Sequence, residues 1–405
     1  MRMFTRITQA VSVAPQIAPE DVALAAAQGF RTIVNNRPDG ESLDQPPGAD
    51  IEAAAHAAGL AAFEAVARPW QRVFPTPPEQ RETLRTLLSH LFDGEPDGVA
   101  LVPSAAFGLA TAANSLPLET GDSVLVLEGQ FPSNLLCWQQ RCADTGARLR
   151  GVARAAGQDW TDAVLAAIAD EPRLRIATLP QVRWDDGAVL DLDRISAALH
   201  EREVSLVLDL SQSLGIVAPD TQRWRPDFIV SVGYKWLLGA RGLACLWAAP
   251  RWREHGRPIE HHWIAHDGGA DWRFGVETTA PFAGGARRFD AGGLDDPIRL
   301  AIAIAGLEQV LAWEPAKIAS ALGERTAALH EALDAAGLSA WTTRDHAPHL
   351  MALVPPPASL AAADAALREA NISCTCRHGR LRIAPHLQVA TGDMARVAGA
   401  LSRFA

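Results

Sequence analysis

Lysine is nearly missing from this chain. Of 37 basic side chains only two, Lys235 and Lys317, are lysines, and tyrosine occurs once, as Tyr234. No apolar run reaches the roughly 18–20 residues that a membrane span needs. The opening residues, MRMFTRITQAVSVAPQIAPEDV, lack the apolar stretch of a secretory signal. A net charge of −10 excludes an electrostatic grip on nucleic acid or on an anionic membrane. Five cysteines form no framework, which points to free thiols in a reducing, cytoplasmic compartment. Their spacing with histidine matches no zinc site, so no metal is expected. Internal repeats and low-complexity tracts are also lacking.

What is present is an ordinary globular composition, 48% hydrophobic and 21% charged, over 405 residues. That length can bury a large core or support two or three domains. Residues 1–58 read as strand–helix–strand. APEDVALAAAQGF has an acidic first turn and a closing glycine, and RTIVNNRPDGE is a strand running into a turn. DIEAAAHAAGLAAFEAVARPW then reads as an alanine-rich helix. From about residue 78 helices and strands alternate. GVALVPS, SVLVLEG, LRIATLP, SLVLDLS, DFIVSVG and GLACLWAA are short, nearly continuous apolar strands, and GARLRGV adds another. Such runs belong in a mostly parallel sheet covered on both faces. A tryptophan- and histidine-bearing stretch over 251–290 precedes a long helix, DPIRLAIAIAGLEQVLAWE, and a smaller α/β region. The expected division is therefore 1–58, a large α/β domain over 59–290, and 291–405.

Lys235 stands just after the strand DFIVSVG, beside Tyr234. Asp209 ends the strand in VSLVLDLS, where a carboxylate is costly to bury without a cation. This pairing is what pyridoxal 5′-phosphate chemistry needs. The amine forms a Schiff base with the cofactor aldehyde, and the aspartate keeps the pyridine nitrogen protonated so that the ring accepts electrons. Ser104, Ala105 and Ala106 close a strand and open a helix, whose free N–H groups and dipole suit a phosphate.

Asp209 and Gln212 spell DxxQ, and GYKW follows at a matching distance. On these residues the chain, from about residue 60, resembles the fold-type I pyridoxal phosphate enzymes. Within them it resembles the class V aminotransferase family, which includes cysteine desulfurases, kynureninases and isopenicillin N epimerases. The resemblance implies the aspartate aminotransferase-like α/β fold: a seven-stranded, mostly parallel sheet in a large domain, plus a smaller C-terminal α/β domain. It also implies a homodimer with sites at the subunit interface. By the same resemblance Lys235 is the Schiff-base lysine and Asp209 faces the pyridine nitrogen. Gln212 lies near the phenolic oxygen, the Tyr234 hydroxyl helps hold the phosphate, and Ser104, Ala105 and Ala106 cradle it. Phe131, in EGQFPSNLLCW, stacks on the ring. Trp184 belongs to a turn that approaches the cofactor. Arg382, in GRLRIAPH, clamps the substrate α-carboxylate with its bidentate fork, in the company of Arg377 and Arg380.

Three departures accompany the likeness. The short opening motif of relatives, roughly Y-L-N-x-A/G, has no counterpart. Gly293 in FDAGGLDD stands where relatives often carry a threonine for the partner subunit's phosphate. Gln388 replaces the usual asparagine after the carboxylate arginine. Residues 1–58 in turn resemble the first half of a small phosphatase-like domain of the beta-lactamase hydrolase-like family. No cysteine falls over 60–136 to complete a catalytic loop, and the C-x5-R spelling from Cys142 to Arg148 falls at a helix end.

The expected function is an enzyme acting on an α-amino acid, with Lys235 as Schiff-base partner and base for the α-proton. Transamination, epimerisation and β-elimination share these requirements. Cysteine desulfuration needs a mobile cysteine loop, and the six residues from Cys376 to Arg382 leave no room for one. The rival expectation is a non-catalytic member of the fold acting as a scaffold or regulator.

Overall fold

The computed structural model describes residues 78–405 except 156, 268–273, 278 and 344; within 1–77 it describes 5–6, 12–14, 17–30, 32–33, 50–51, 54 and 61–62. The chain separates into two compact units, Met1–Pro77 and Pro78–Ala405.

In the first unit β1 (Thr5–Arg6) pairs antiparallel with β2 (Ser12–Val13). Helix α1 (Pro19–Ala27) begins with proline and acidic residues, and Asp21 Oδ2 accepts from the Ala18 N–H at 2.8 Å. This satisfies one of the donors that a helix start leaves free. The helix buries Val22 and Ala25 with Ile51. Strand β3 (Thr32–Ile33) pairs in parallel with β4 (Ala61–Ala62). The alanine-rich run expected as one helix over 50–70 is therefore not one helix. Asp50, Ile51 and Ala54 are helical, but Ala61–Ala62 is strand. Alanine's helix preference is a weak local bias, and pairing with β3 overrides it. The turn expected after RTIV lies outside the described residues.

The second unit alternates as expected: α2 (Glu79–Ser89), β5 (Val99–Val102), α3 (Ala105–Ser115), β6 (Ser123–Leu127), α4 (Leu136–Thr145), β7 (Arg148–Val152), α5 (Trp160–Asp170), β8 (Leu174–Pro180), α6 (Leu192–His200), β9 (Ser205–Asp209), β10 (Phe228–Val232) and β11 (Ala244–Ala248). The sheet order is β5-β11-β10-β9-β8-β6-β7. Strands β10-β9-β8-β6-β7 are parallel neighbours, while β11 runs antiparallel between β10 and β5. Side chains alternate between two buried layers. Leu206, Leu208 and Ile229 face one core, whereas Val207, Phe228 and Val230 face the other. That explains the continuous apolar runs: a strand buried on both faces has no polar side.

Polar caps place the helices. Ser104 accepts from the Phe107 N–H at 3.1 Å, Asp159 from Thr161 at 2.7 Å, and Asp191 from Arg194 at 3.1 Å. The expected long apolar helix is α7 (Pro297–Trp313), and a second helix, α8 (Pro315–Ala335), follows it. Glu314 between them takes φ 62°, and Pro315 cannot continue the first helix. The C-terminal region adds a three-stranded antiparallel sheet, in the order β12-β14-β13, from β12 (Met351–Leu353), β13 (Thr375–Arg377) and β14 (Arg380–Ile383). Helices α8, α9 (Leu360–Glu369) and α10 (Met394–Leu401) pack on its core of Leu329, Leu353, Leu367, Leu381 and Leu401.

Candidate active site

Parallel strands deliver the groups that follow them to one edge of the sheet, and ligands in such folds bind there. Five of those strands meet here. β5 delivers Ser104 and the start of α3, β6 delivers the loop with Phe131, and β8 ends at Pro180. β9 ends at Asp209, and β10 leads to Tyr234 and Lys235. Because β11 runs antiparallel, its start lies at the same edge, and the turn between β10 and β11 carries Lys235. Together they enclose a cavity of about 270 Å³ lined by Ser104, Ala105, Ala106, Phe131, Asp209, Gln212, Tyr234 and Lys235. These are the eight cofactor residues expected from the sequence.

Asp209 is buried, and its Oδ1 accepts from the Ser211 N–H at 3.0 Å. Burial pushes its carboxyl above the usual range, opposed by the hydrogen bonds from Ser211 and the charge of Lys235. Burial also lowers the Lys235 amine, with Arg382 adding to the effect and Asp209 opposing it. Lys235 Nζ lies 5.8 Å from the Phe131 ring centre. That ring is held by its loop: the Asn134 N–H donates to the Phe131 carbonyl at 2.9 Å, and the Asn134 side chain accepts from Trp138 on α4 at 3.2 Å and from Thr178 on β8. Trp184 meets Phe131 edge-on at 5.4 Å and donates its indole N–H to the Gly129 carbonyl at 2.9 Å.

Arg382 does not line the cavity. It stands on β14, where Nη1 donates to the Trp184 carbonyl at 2.8 Å, and burial with the nearby Arg377 lowers its pKa while Asp185 opposes. Its neighbours are less available. Arg380 donates to Asp185 at 2.9 Å, and Arg183 pairs with the same carboxylate, also at 2.9 Å. Arg377 points back to the Cys376 carbonyl. Gly293, which stands where relatives often carry threonine, has φ 71°, a left-handed conformation that favours glycine. The spelling Cys142 to Arg148 spans the end of α4, the turn at Gly146 and the start of β7. Its thiol is buried and raised in pKa by that burial, so it is no poised nucleophile.

Several residues at the site carry no signal of their own in the sequence. Arg241 lines the cavity, and its guanidinium lies 4.8 Å from the Tyr234 ring centre. Ser211 holds both Asp209 and, through Oγ, the Val232 N–H at 3.3 Å. The GARG spelling after Lys235 is the only hint for the first, and SQS after Asp209 for the second.

The donor set fits pyridoxal 5′-phosphate. The buried Asp209 carboxylate faces the cavity without an ion-pair partner among the described residues, and a cationic ring nitrogen would supply one. The start of the eleven-residue helix α3 offers N–H groups to a phosphate, and a lysine with lowered pKa is ready to join an aldehyde. Among the described residues no group of acidic, His or Cys side chains could hold a metal, and no helix is long and apolar enough to cross a membrane.

Comparison with known proteins agrees with this geometry. Residues 78–390 match the aminotransferase class-V family, and residues 3–89 match the phosphatase-like domain of beta-lactamase hydrolase-like proteins. An "uncharacterized aminotransferase", YcbU, of Bacillus subtilis (strain 168) is 28% identical over 220 residues, covering 53% of this chain and 54% of that protein. Isopenicillin N epimerase of Streptomyces clavuligerus is 26% identical over 181 residues, covering 44% and 46%. The chain thus spans about half the length of the curated relatives it matches. Among solved structures, a C-DES mutant with glycine linked covalently to its PLP cofactor superposes with a TM-score of 0.70 at 18% identity, covering 94% of this chain and 92% of the other.

Proposed function

The chain belongs to the aminotransferase class-V family, and we propose that it is a cytoplasmic, homodimeric enzyme that removes the α-proton of an amino acid with the help of pyridoxal 5′-phosphate. The observation that carries this reading is the meeting of Lys235, Asp209 and the α3 start in one cavity at the edge of the sheet. When bound, the cofactor supplies an aldehyde that condenses with amines and a pyridine ring that draws electrons from the α-carbon.

The protein's own groups divide the work. The free N–H groups at Ala105 and Ala106, with the α3 dipole and the Tyr234 hydroxyl, receive the phosphate. Phe131 offers an apolar face to the ring; it can neither give nor take a proton. Asp209 holds a proton at the pyridine nitrogen, and the resulting positive charge offsets the cost of burying the carboxylate. Gln212, which lines the same cavity, would hold the phenolic oxygen. Lys235, lowered by burial, has a larger neutral fraction near neutral pH, so Nζ is both a nucleophile and the base that takes the Cα proton. Arg382, whose Nη1 is held by the Trp184 carbonyl, would use the rest of its guanidinium fork to bind the substrate carboxylate. The residues present serve transamination, epimerisation and β-elimination alike. Only two residues, His378 and Gly379, join β13 to β14, which leaves no mobile cysteine loop there.

The test is exchange of the α-proton for deuterium. The twenty amino acids are incubated in D₂O with protein and cofactor and followed by proton NMR. Loss of the α-proton signal for at least one amino acid, strongly slowed in Lys235→Ala, is the expected result. Retention of all α-protons with a cofactor-loaded protein contradicts the proposal.

A further inference from the structure

We propose that His349 is a positioning residue that ties the arginine strand β14 to the Asp209–Gln212 turn by holding the Gln212 main-chain carbonyl. The inference rests on the reading of that turn as the cofactor floor and of Arg382 as the carboxylate clamp.

His349 is fully buried in the loop before β12. Its Nε2 meets the Gln212 carbonyl, 137 residues away in the chain. A carbonyl only accepts, so Nε2 carries the proton. Nδ1 is then bare, and it has no hydrogen-bond partner though it is buried. An imidazole with one stranded nitrogen is a poor way to fill a core, where leucine carries no such penalty. Burial lowers its pKa to about 4, so the ring is neutral near pH 7 and the donor is permanent. The ring also stands edge-on to Trp236, with centres 4.7 Å apart. Trp236 directly follows Lys235, and its indole stacks on His386 at 5.8 Å.

The same loop is fastened to the Trp184 turn. The Ala347 N–H donates to the Gly187 carbonyl at 2.8 Å, and Val182, Ala347 and Leu350 form a small apolar cluster. Gly187 has φ 77°, and a Cβ there would lie 2.0 Å from the Leu350 carbonyl, so the approach is too close for another residue. From Leu350 the chain enters β12, where Ala352 pairs with Arg382 on β14. One loop therefore links three groups that a substrate must meet in register: the arginine strand, the Trp184 turn and the floor at Gln212. His349 makes the last of these links, and it does so with a single donor.

The test uses the full chain and two substitutions. His349→Gln keeps an N–H donor at nearly the reach of Nε2, whereas His349→Phe keeps a flat ring without one. Cofactor-free protein is titrated with pyridoxal phosphate, the circular dichroism of the bound cofactor is recorded, and thermal midpoints are measured. Leaving the Gln212 carbonyl unpaired is expected to weaken cofactor binding about tenfold and to change the dichroism of the bound ring. His349→Gln is expected to restore both to within about twofold, whatever the two variants do to the midpoint. If His349→Phe fails to fold, His349→Asn takes its place, its amide being too short to reach the carbonyl. Equal cofactor affinity and dichroism in the donor and non-donor variants overturns the proposal. A wild type that binds no pyridoxal phosphate overturns the cofactor reading itself, and His349 then has nothing to position.

Discussion

Two partnerships of a basic side chain with an aspartate at this sheet are finished differently, one fully buried and one with a half-buried lysine. Arg85 on α2 meets Asp290 at 2.6 Å. Arg85 also donates to the Val99 carbonyl, its Nε reaches Glu82 at 3.2 Å, and Asp290 accepts from the Leu101 N–H at 2.8 Å. That pair pins the segment before α7 and helix α2 to β5, and its donors and acceptors answer one another. Lys235 and Asp209 form no ion pair in the described structure. Asp209 takes one main-chain hydrogen bond from Ser211, its carboxyl is pushed up, and the amine is pushed down. The first pair is completed by the protein. The second faces the cavity without an ion pair, and a perturbed acid and base facing a cavity is the usual mark of a working site.

Substitutions can break this contrast. Lys235→Ala is expected to reduce α-proton exchange by on the order of 10²–10⁴-fold, with thermal stability of the cofactor-free protein unchanged or raised. Arg85→Leu strands the Asp290 carboxylate, and the unfolding free energy in denaturant is expected to drop by about 3–5 kcal/mol. Asp209→Asn should act in the opposite sense. Its folded pKa is raised, so the protonated carboxyl's contribution to stability is full below the ordinary carboxylate pKa of 3.8 and is lost as pH rises through the folded value. The amide removes that loss, so cofactor-free Asp209→Asn is expected to melt no lower than wild type at pH 7 while exchange falls sharply. A marked loss of stability in Asp209→Asn would erase the distinction between the two pairs.

Smaller effects sharpen the picture. His349 is lowered from 6.5 to about 4, so its contribution to stability is full above pH 6.5 and is lost as pH falls through about 4. The buried ring makes this on the order of 3 kcal/mol. Wild type should therefore lose about that much stability relative to His349→Gln as the pH is lowered from 6.5 to 4, measured by denaturant titration at each pH. Arg382→Lys keeps the charge but loses the fork. It is expected to raise the half-saturating amino-acid concentration about tenfold and to leave the cofactor spectrum in place.

Much of the fold is legible because burial on both faces writes itself into continuous apolar strands such as LRIATLP and SLVLDLS. The same runs hide direction: nothing in GLACLWAA tells that β11 is antiparallel, which a connection over 233–243 without a crossover helix makes natural. The candidate site is legible where cavity-lining groups sit at strand ends, as at Asp209, Lys235 and Ser104. It is not legible where one residue serves another across a long separation. Arg85 and Asp290 are 205 residues apart, and His349 and Gln212 are 137 apart, with no local pattern to announce either pairing. Ala61–Ala62 shows the other limit, since local helix preference yields to a partner strand.

The most direct measurement is the visible absorption spectrum of the purified protein with pyridoxal phosphate, before and after borohydride, followed by peptide mapping. The account predicts a visible band that borohydride removes, with the reduced cofactor attached to Lys235 alone and no such adduct in Lys235→Ala. Absence of the band with added cofactor, or attachment at Lys317 instead, contradicts it.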